Sequence, residues 1–346
     1  MKNGRIVWID NTKAFACLLV VIGHLLQSLT KANIDPIVGC THFIDYFIYL
    51  FHMPLFIALS GYLYGLREYR FDKNKYVEFI KKKTINYIIP YLTFYLVYLT
   101  INILLSSSVN SPKGINELVG IINNPMSPYW FLYALISLNI FIPKIEKIFK
   151  YDRRKVFIVL LVLKVLTCLV NVPVYLIRIF MEYGIYFYFG VFLSKKGFIK
   201  SKKIGIFMII GFTVFAIVNY IISSQYSYNN LLSLLFHLAF GISGTYMVMN
   251  LFENLDNIDL FKSFKKYIFQ IFLLHTIFAA GIRIVLLKLG IENYIIHIIF
   301  GMIFSIYLPV LVSIICEKMI YPNFFFYPLK TLEEIRKRKG VDCNEG

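Results

Sequence analysis

The sequence predicts an all-α fold: a polytopic membrane bundle of about ten transmembrane helices with both termini in the cytoplasm. Three observations predict it. The 346 residues are 58% hydrophobic and only 16% charged, with a mean hydropathy of +0.68, too apolar for a water-soluble domain of that length. The apolar residues gather into ten runs of about spanning length, roughly 12 to 30, 43 to 66, 84 to 106, 128 to 143, 155 to 172, 174 to 194, 204 to 224, 230 to 252, 264 to 289 and 292 to 322. The basic residues then alternate between the two sides. With the N-terminus inside, the inner segments hold Lys2, Arg5 and Lys13, seven in 67 to 83, six in 144 to 155, five in 195 to 203, three in 253 to 266 and six from Lys318 onward, 30 of 36 in all. Only Lys31, Lys113 and Lys288 fall outside, and Lys164, Arg178 and Arg283 lie within apolar runs. Loops rich in Lys and Arg stay in the cytoplasm, which fixes the orientation. Residues 1–330 read as one transmembrane domain and 331–346 as a short charged cytoplasmic tail.

The first run is retained as a helix rather than cleaved as a signal peptide, since no small-residue cleavage site follows it. The stretch WIDNTKAFACLLVVIGHLLQSLT carries Lys13 and His24. Eleven helical steps leave them roughly 20° apart around the axis and roughly 16 Å apart along it, on one face at two depths. A lysine at the end of a span snorkels, whereas a histidine deep within one is costly and reads as functional.

The second run, FIDYFIYLFHMPLFIALSGYLYGL, carries Asp45 and His52, seven apart and therefore on one helical face, with Pro54 just beyond. A proline in a span frees a backbone carbonyl, and such a bend is tolerated beside protein or a wet cavity. Depth arithmetic sets His24 roughly 18 Å from the inner end of its run and His52 roughly 14 Å from the outer end of its own, so both are expected near the midplane.

Before the third run, FIKKKTINYIIPY places Lys81, Lys82 and Lys83 at the inner mouth. They read as a topology signal or as exposed cations for phosphates. The outer stretch 107 to 127 is Ser-, Asn- and Pro-rich and reads as a loop, followed by Tyr129 and Trp130 at the membrane interface. The sixth run carries Arg178 and Glu182, four apart and expected to pair. The ninth puts His275 near the midplane and Arg283 toward the outside; His237 and His297 read as packed or interfacial, and Lys164 has no evident partner in sequence.

The net charge of +17 does not imply nucleic acid, because the charges are spread over every inner loop with no basic and aromatic patch standing apart. Anionic lipid headgroups account for part of it, and an anionic cytoplasmic substrate for the rest. The cysteines Cys17, Cys40, Cys168, Cys316 and Cys343 have no metal-like spacing, so neither a disulfide framework nor a metal site is expected. The closing CNEG is not a prenylation signal.

RIVWIDNTKAFACLLVVIGH, FHMPLFIALSGYLYG, KKKTINYIIPY, YWFLYAL, FYFGVFL and FLLH, in this order, resemble the acyltransferase-3 family of membrane O-acyltransferases, and the opening is most similar to its fucose 4-O-acetylase group. The resemblance implies a bacterial inner or plasma membrane enzyme that takes acetyl-CoA from the cytoplasm and O-acetylates a sugar of a cell-surface glycan, possession of a lipid link by that acceptor being compatible with it. The family's basic residue, ten residues, then histidine falls on Lys13 and His24. Family members often carry an arginine four residues before the proline of the third helix, where this chain has Asn86, which leaves the charge to Lys82 and Lys83. No esterase domain of the kind fused to some relatives is present, so the chain completes transfer itself or with a separate partner.

The scheme that joins both readings places the phosphates of acetyl-CoA on Lys13 and Lys81 to Lys83. His24 acts as general base on a sugar hydroxyl, or carries a transient acetyl group. Asp45 or His52 orients the base or contacts the sugar, and Tyr129, Trp130, Arg178, Glu182 and His275 are candidate acceptor contacts. The competing reading is a transporter or flippase for a glycan or lipid-linked sugar, since buried polar groups also mark substrate pathways; the chain lacks the related halves that many transporters show.

Overall fold

The computed structural model describes residues 6–34, 38–67, 72–199, 201–225, 230–256 and 258–338. Lys2, Arg5, Arg70, Lys200, Lys339, Cys343 and the closing CNEG lie outside the described residues. Within them the chain forms fourteen α-helices. In chain order these are α1 Val7–Lys31, α2 Val38–Tyr49, α3 His52–Leu66, α4 Lys73–Leu104, α5 Gly120–Asn123, α6 Trp130–Ile148, α7 Arg153–Leu166, α8 Tyr175–Lys196, α9 Lys202–Gln225, α10 Asn230–Glu253, α11 Ile268–Lys288, α12 Tyr294–Lys318, α13 Ile320–Phe324 and α14 Pro328–Arg338. Tight turns of 3-10 helix occupy Ile115–Leu118 and Lys265–Tyr267.

Eight spans among the described residues are long and apolar enough to cross a membrane, with α2 and α3 counted together as Gly39–Leu66. The fourth and fifth runs of the sequence are helical too, but α7 has only 14 residues and α6 ends in a segment with Lys144, Glu146 and Lys147. Two helix starts outside the spans are capped by acidic side chains. Asp72 accepts from the Lys75 backbone N–H at 2.8 Å, and Asp152 from those of Arg154 and Lys155 at 3.0 and 3.3 Å. These backbone donors hold both carboxyls below the ordinary aspartate range.

The chain forms two compact units, the first Met1–Arg70 with Lys144–Ile268 and the second Phe71–Pro143 with Phe269–Gly346. In the first, α3 and α8 make the closest pairing. Its cause is small residues: a methyl group added at Gly61 would strike the Phe187 carbonyl, one at Gly190 the Ala58 carbonyl, and one at Gly65 the Ser194 hydroxyl. Gly61 and Gly65 are four apart, the spacing that lets two membrane helices bring their backbones together.

Helix α1 packs on α2, α3 and α10. Its start is fixed by Trp8, which lies edge-on to Tyr62 and Phe198 with ring centroids 5.1 and 5.5 Å apart. Asn11, fully buried, donates its amide to the Ile258 carbonyl at 2.7 Å and accepts the Leu260 N–H at 3.1 Å. That side chain replaces a peptide partner for the connection after α10.

The second apolar run is not one helix. It breaks at Leu50 and Phe51, between α2 and α3. Pro54 has no N–H to offer the Leu50 carbonyl four residues back, so the ladder is interrupted there. The break is buried in protein, with Ile48, Leu50, Phe51 and His52 all within 5% exposure, as an irregular backbone inside a membrane requires.

In the second unit, the stretch read as an outer loop instead follows α4 back down its length. The Lys113 N–H donates to Asn102, the Tyr95 hydroxyl to the Glu117 carbonyl, and the Tyr91 hydroxyl to the Ile121 carbonyl. Asn102 and Tyr91 are eleven residues apart, so this segment descends roughly 16 Å along the helix. At the other end of the chain, α14 packs on α4, and Phe326 meets Phe94 with centroids 4.8 Å apart. The charged tail, as far as Arg338, is thus a docked helix that begins at Pro328.

Candidate functional site

Helix α1 carries the polar line that the sequence singles out. Lys13 is half-buried near its start and lies 3.7 Å from Asp10, one turn earlier. His24 is half-buried as well, three turns further on, among the buried Val20, Val21, Gly23, Leu25 and Leu26. Gly23 lets α2 approach: a methyl group there would stand 2.9 Å from the Tyr49 ring.

Around this contact the first unit assembles a polar cluster from α1, α2 and the break. The Gln27 amide donates to both carboxylate oxygens of Asp45, at 3.1 and 3.2 Å. Tyr49 lies edge-on to His52, with centroids 4.5 Å apart. The His52 ring is buried and its Nδ1–H donates to the Ile48 carbonyl at 2.9 Å. Gln27 follows His24 by three residues, so the two are surface neighbours on the helix. Asp45 and His52 therefore reach the surroundings of His24 through Gln27 and Tyr49, neither of which the sequence reading named. The available signal was the helical spacing of Gln27 from His24.

Elsewhere in the first unit, Arg178 and Glu182 of α8 stand 4.0 Å apart. Lys164 of α7 lies over the rings of Tyr183 and Tyr186, 5.9 and 5.7 Å from their centroids, and feels the charge of Glu182. This accounts for the lysine that sequence left without a partner. A second carboxyl missed in sequence is Glu146, buried and accepting from the Tyr64 hydroxyl at 2.6 Å.

The second unit holds the remaining candidates. Lys81, Lys82 and Lys83 lie within α4 rather than ahead of it; Lys82 meets Glu78 at 2.6 Å, and Lys83 lies over Phe79 and Tyr87. Tyr129 is fully buried, not at an open interface, and its hydroxyl donates to the Leu273 carbonyl at 3.1 Å. Trp130 is half-buried at the first position of α6. His275 is fully buried, with Nδ1 directed at the Ile271 and Phe272 carbonyls at 3.1 and 2.9 Å. His297 bonds the Ile291 carbonyl through Nε2 at 2.8 Å, a packing role.

The α1 cluster combines an imidazole with a carboxylate, an amide and a phenol inside an apolar span. That set is able to accept a proton from a hydroxyl and to hold the neighbouring hydroxyls of a polar substrate.

A family model described as an acyltransferase domain matches residues 6–314. A nodulation protein, NolL, of Mesorhizobium japonicum is 31% identical over 134 residues, 38% of this chain and 34% of its own length. The NolL protein of Sinorhizobium fredii is 30% identical over 135 residues, 39% and 35% of the two chains. The matched stretch thus spans roughly a third of the length of these relatives. No solved structure matches the chain.

Proposed function

The chain belongs to the acyltransferase family whose domain it carries over residues 6–314, and on that premise we propose that it is a membrane-bound O-acetyltransferase of a bacterial cell membrane. Its donor is acetyl-CoA, reached from the cytoplasmic side where both termini lie, and its acceptor is a hydroxyl of a cell-surface or exopolysaccharide sugar, free or lipid-linked.

The observation that carries this reading is the polar line on α1, from Lys13 past His24 to Gln27, with only apolar residues, small residues and Cys17 between them. Eleven residues of helix separate Lys13 from His24 by roughly 16 Å, which suits a donor whose phosphates and thioester are joined by a long flexible arm. Lys13, on the same helix as the base, neutralises the phosphates. His24, unprotonated, accepts the proton of the sugar hydroxyl as its oxygen attacks the thioester carbonyl. The carbon–sulfur bond breaks, and the same proton passes to the departing thiolate. His52, fixed by the Ile48 carbonyl, positions Tyr49 and through it the neighbourhood of the base.

The test is expression of wild type and His24→Ala in a host that makes the native glycan, with ester-linked acetate measured on it. Loss of a general base lowers transfer by about 10²- to 10⁴-fold. Acetylation that persists in the variant at normal protein level overturns the mechanism, and a glycan retained inside the cell points to transport instead.

A further inference from the structure

We infer that Gln27, Asp45 and Tyr49 form the acceptor subsite, built for a neutral sugar that presents two adjacent hydroxyls. The inference rests on the acetyltransferase reading and adds to it the place and chemical class of the acceptor.

Position is the first argument. Gln27 lies three residues beyond His24 on α1, roughly 4.5 Å along the axis, whereas Lys13 lies roughly 16 Å away in the opposite direction. Donor phosphates at the Lys13 end and acceptor hydroxyls at the Gln27 end would bring their reacting atoms together at His24.

Chemistry is the second. Gln27 donates to both Asp45 oxygens at once, which a carboxylate, an acceptor at both oxygens, accommodates. Each oxygen keeps lone-pair capacity beyond that bond, and two oxygens of one carboxylate match two neighbouring hydroxyl donors. Tyr49 adds a hydroxyl and a ring, and it is 38% exposed while its neighbours Ile48 and Leu50 are buried. Asp45 and Gln27 are likewise only partly buried, so protein does not close the cluster off.

Charge is the third, and it selects the class. An ionised Asp45 repels an acceptor with a carboxylate at the same place, so a uronic acid is disfavoured relative to its neutral counterpart. Arg178 and Lys164 belong to a different cluster, on α8 and α7, and the basic groups whose charge reaches Asp45 are His42 on its own helix and Lys31 at the end of α1.

The experiment uses the full-length protein in nanodiscs with acetyl-CoA and two probes that differ only at one carbon, methyl galactoside and methyl galacturonide. Steady-state kinetics are measured for wild type, Gln27→Ala, Asp45→Asn and Tyr49→Phe. We expect wild type to prefer the galactoside, and Gln27→Ala to raise the acceptor KM about tenfold, the equivalent of one hydrogen bond to a charged group, with the donor KM unchanged. Asp45→Asn should narrow the preference between the two probes. Tyr49→Phe, which keeps the ring and the packing on Gly23, guards against misfolding and should also raise the acceptor KM. Equal use of both probes by wild type, or variants that lower kcat at constant acceptor KM, overturns the subsite. His24→Ala serves as the control for the underlying reading: if it transfers acetyl as well as wild type, the acetyltransferase mechanism fails, independently of where the acceptor binds.

Discussion

Tyr49 and His52 meet edge to face, with ring centroids 4.5 Å apart, across the break between α2 and α3. The histidine earns its place there twice. Its Nδ1–H satisfies the Ile48 carbonyl at 2.9 Å, and its ring holds the tyrosine that rests on Gly23 beside His24.

From this pairing, His52→Leu should destabilise the protein by about 0.5–1.5 kcal/mol, the loss of one buried hydrogen bond to a carbonyl that keeps the Phe51 N–H at 3.3 Å. Thermal unfolding in detergent would register it. Because His52 acts through Tyr49, His52→Asn, which keeps a donor, should restore stability and most of the transfer rate. A variant as stable as wild type yet inactive would make His52 a catalytic group in its own right.

The α3 and α8 pairing makes a different prediction. Gly61 faces the Phe187 carbonyl and Gly190 the Ala58 carbonyl, both without room for a methyl group. Gly61→Leu or Gly190→Leu must push the two backbones apart, and overpacking of this kind costs about 1–3 kcal/mol or more. We expect low yield and early elution as aggregate in size-exclusion chromatography. Gly39, where a methyl group meets open space, is the control, and Gly39→Ala should behave as wild type. Normal yield of Gly61→Leu would show that these helices are not held by backbone contact.

These cases show which parts of the molecule were legible in the sequence. Helix α1 was, because apolar periodicity defines a span and an embedded histidine violates it. The relation between Asp45 and His52 was legible only in outcome. The seven-residue spacing assumed one continuous helix, and the Pro54 break ends that helix between them; Gln27 and Tyr49 make the connection instead. Asn11 was visible within a motif but its role was not, since its partners lie some 250 residues away, at Ile258 and Leu260. The descent of 113–121 along α4 was hidden for a related reason. Ser-, Asn- and Pro-rich composition reports loss of regular structure, not which helix supplies the hydrogen bonds.

The donor side closes on electrostatics. Helix α4 has 32 residues and is therefore roughly 48 Å long, against about 30 Å of hydrocarbon, so the lysines on its early turns sit where water reaches them. Lys82 meets Glu78 at 2.6 Å, which already offsets its charge. Lys82→Gln should accordingly alter the KM for acetyl-CoA little. Lys13 shares α1 with the base and lies 3.7 Å from Asp10, a looser pairing. Lys13→Gln should raise the donor KM several-fold with the acceptor KM unchanged, and it should weaken the rise of that KM with salt, because screening acts on a charge that is no longer there. Steady-state kinetics at low and high ionic strength separate the two lysines. An unaltered donor KM in Lys13→Gln, or a larger effect from Lys82→Gln, would move the phosphate site away from α1 and leave the lysine as an anchor at the membrane edge.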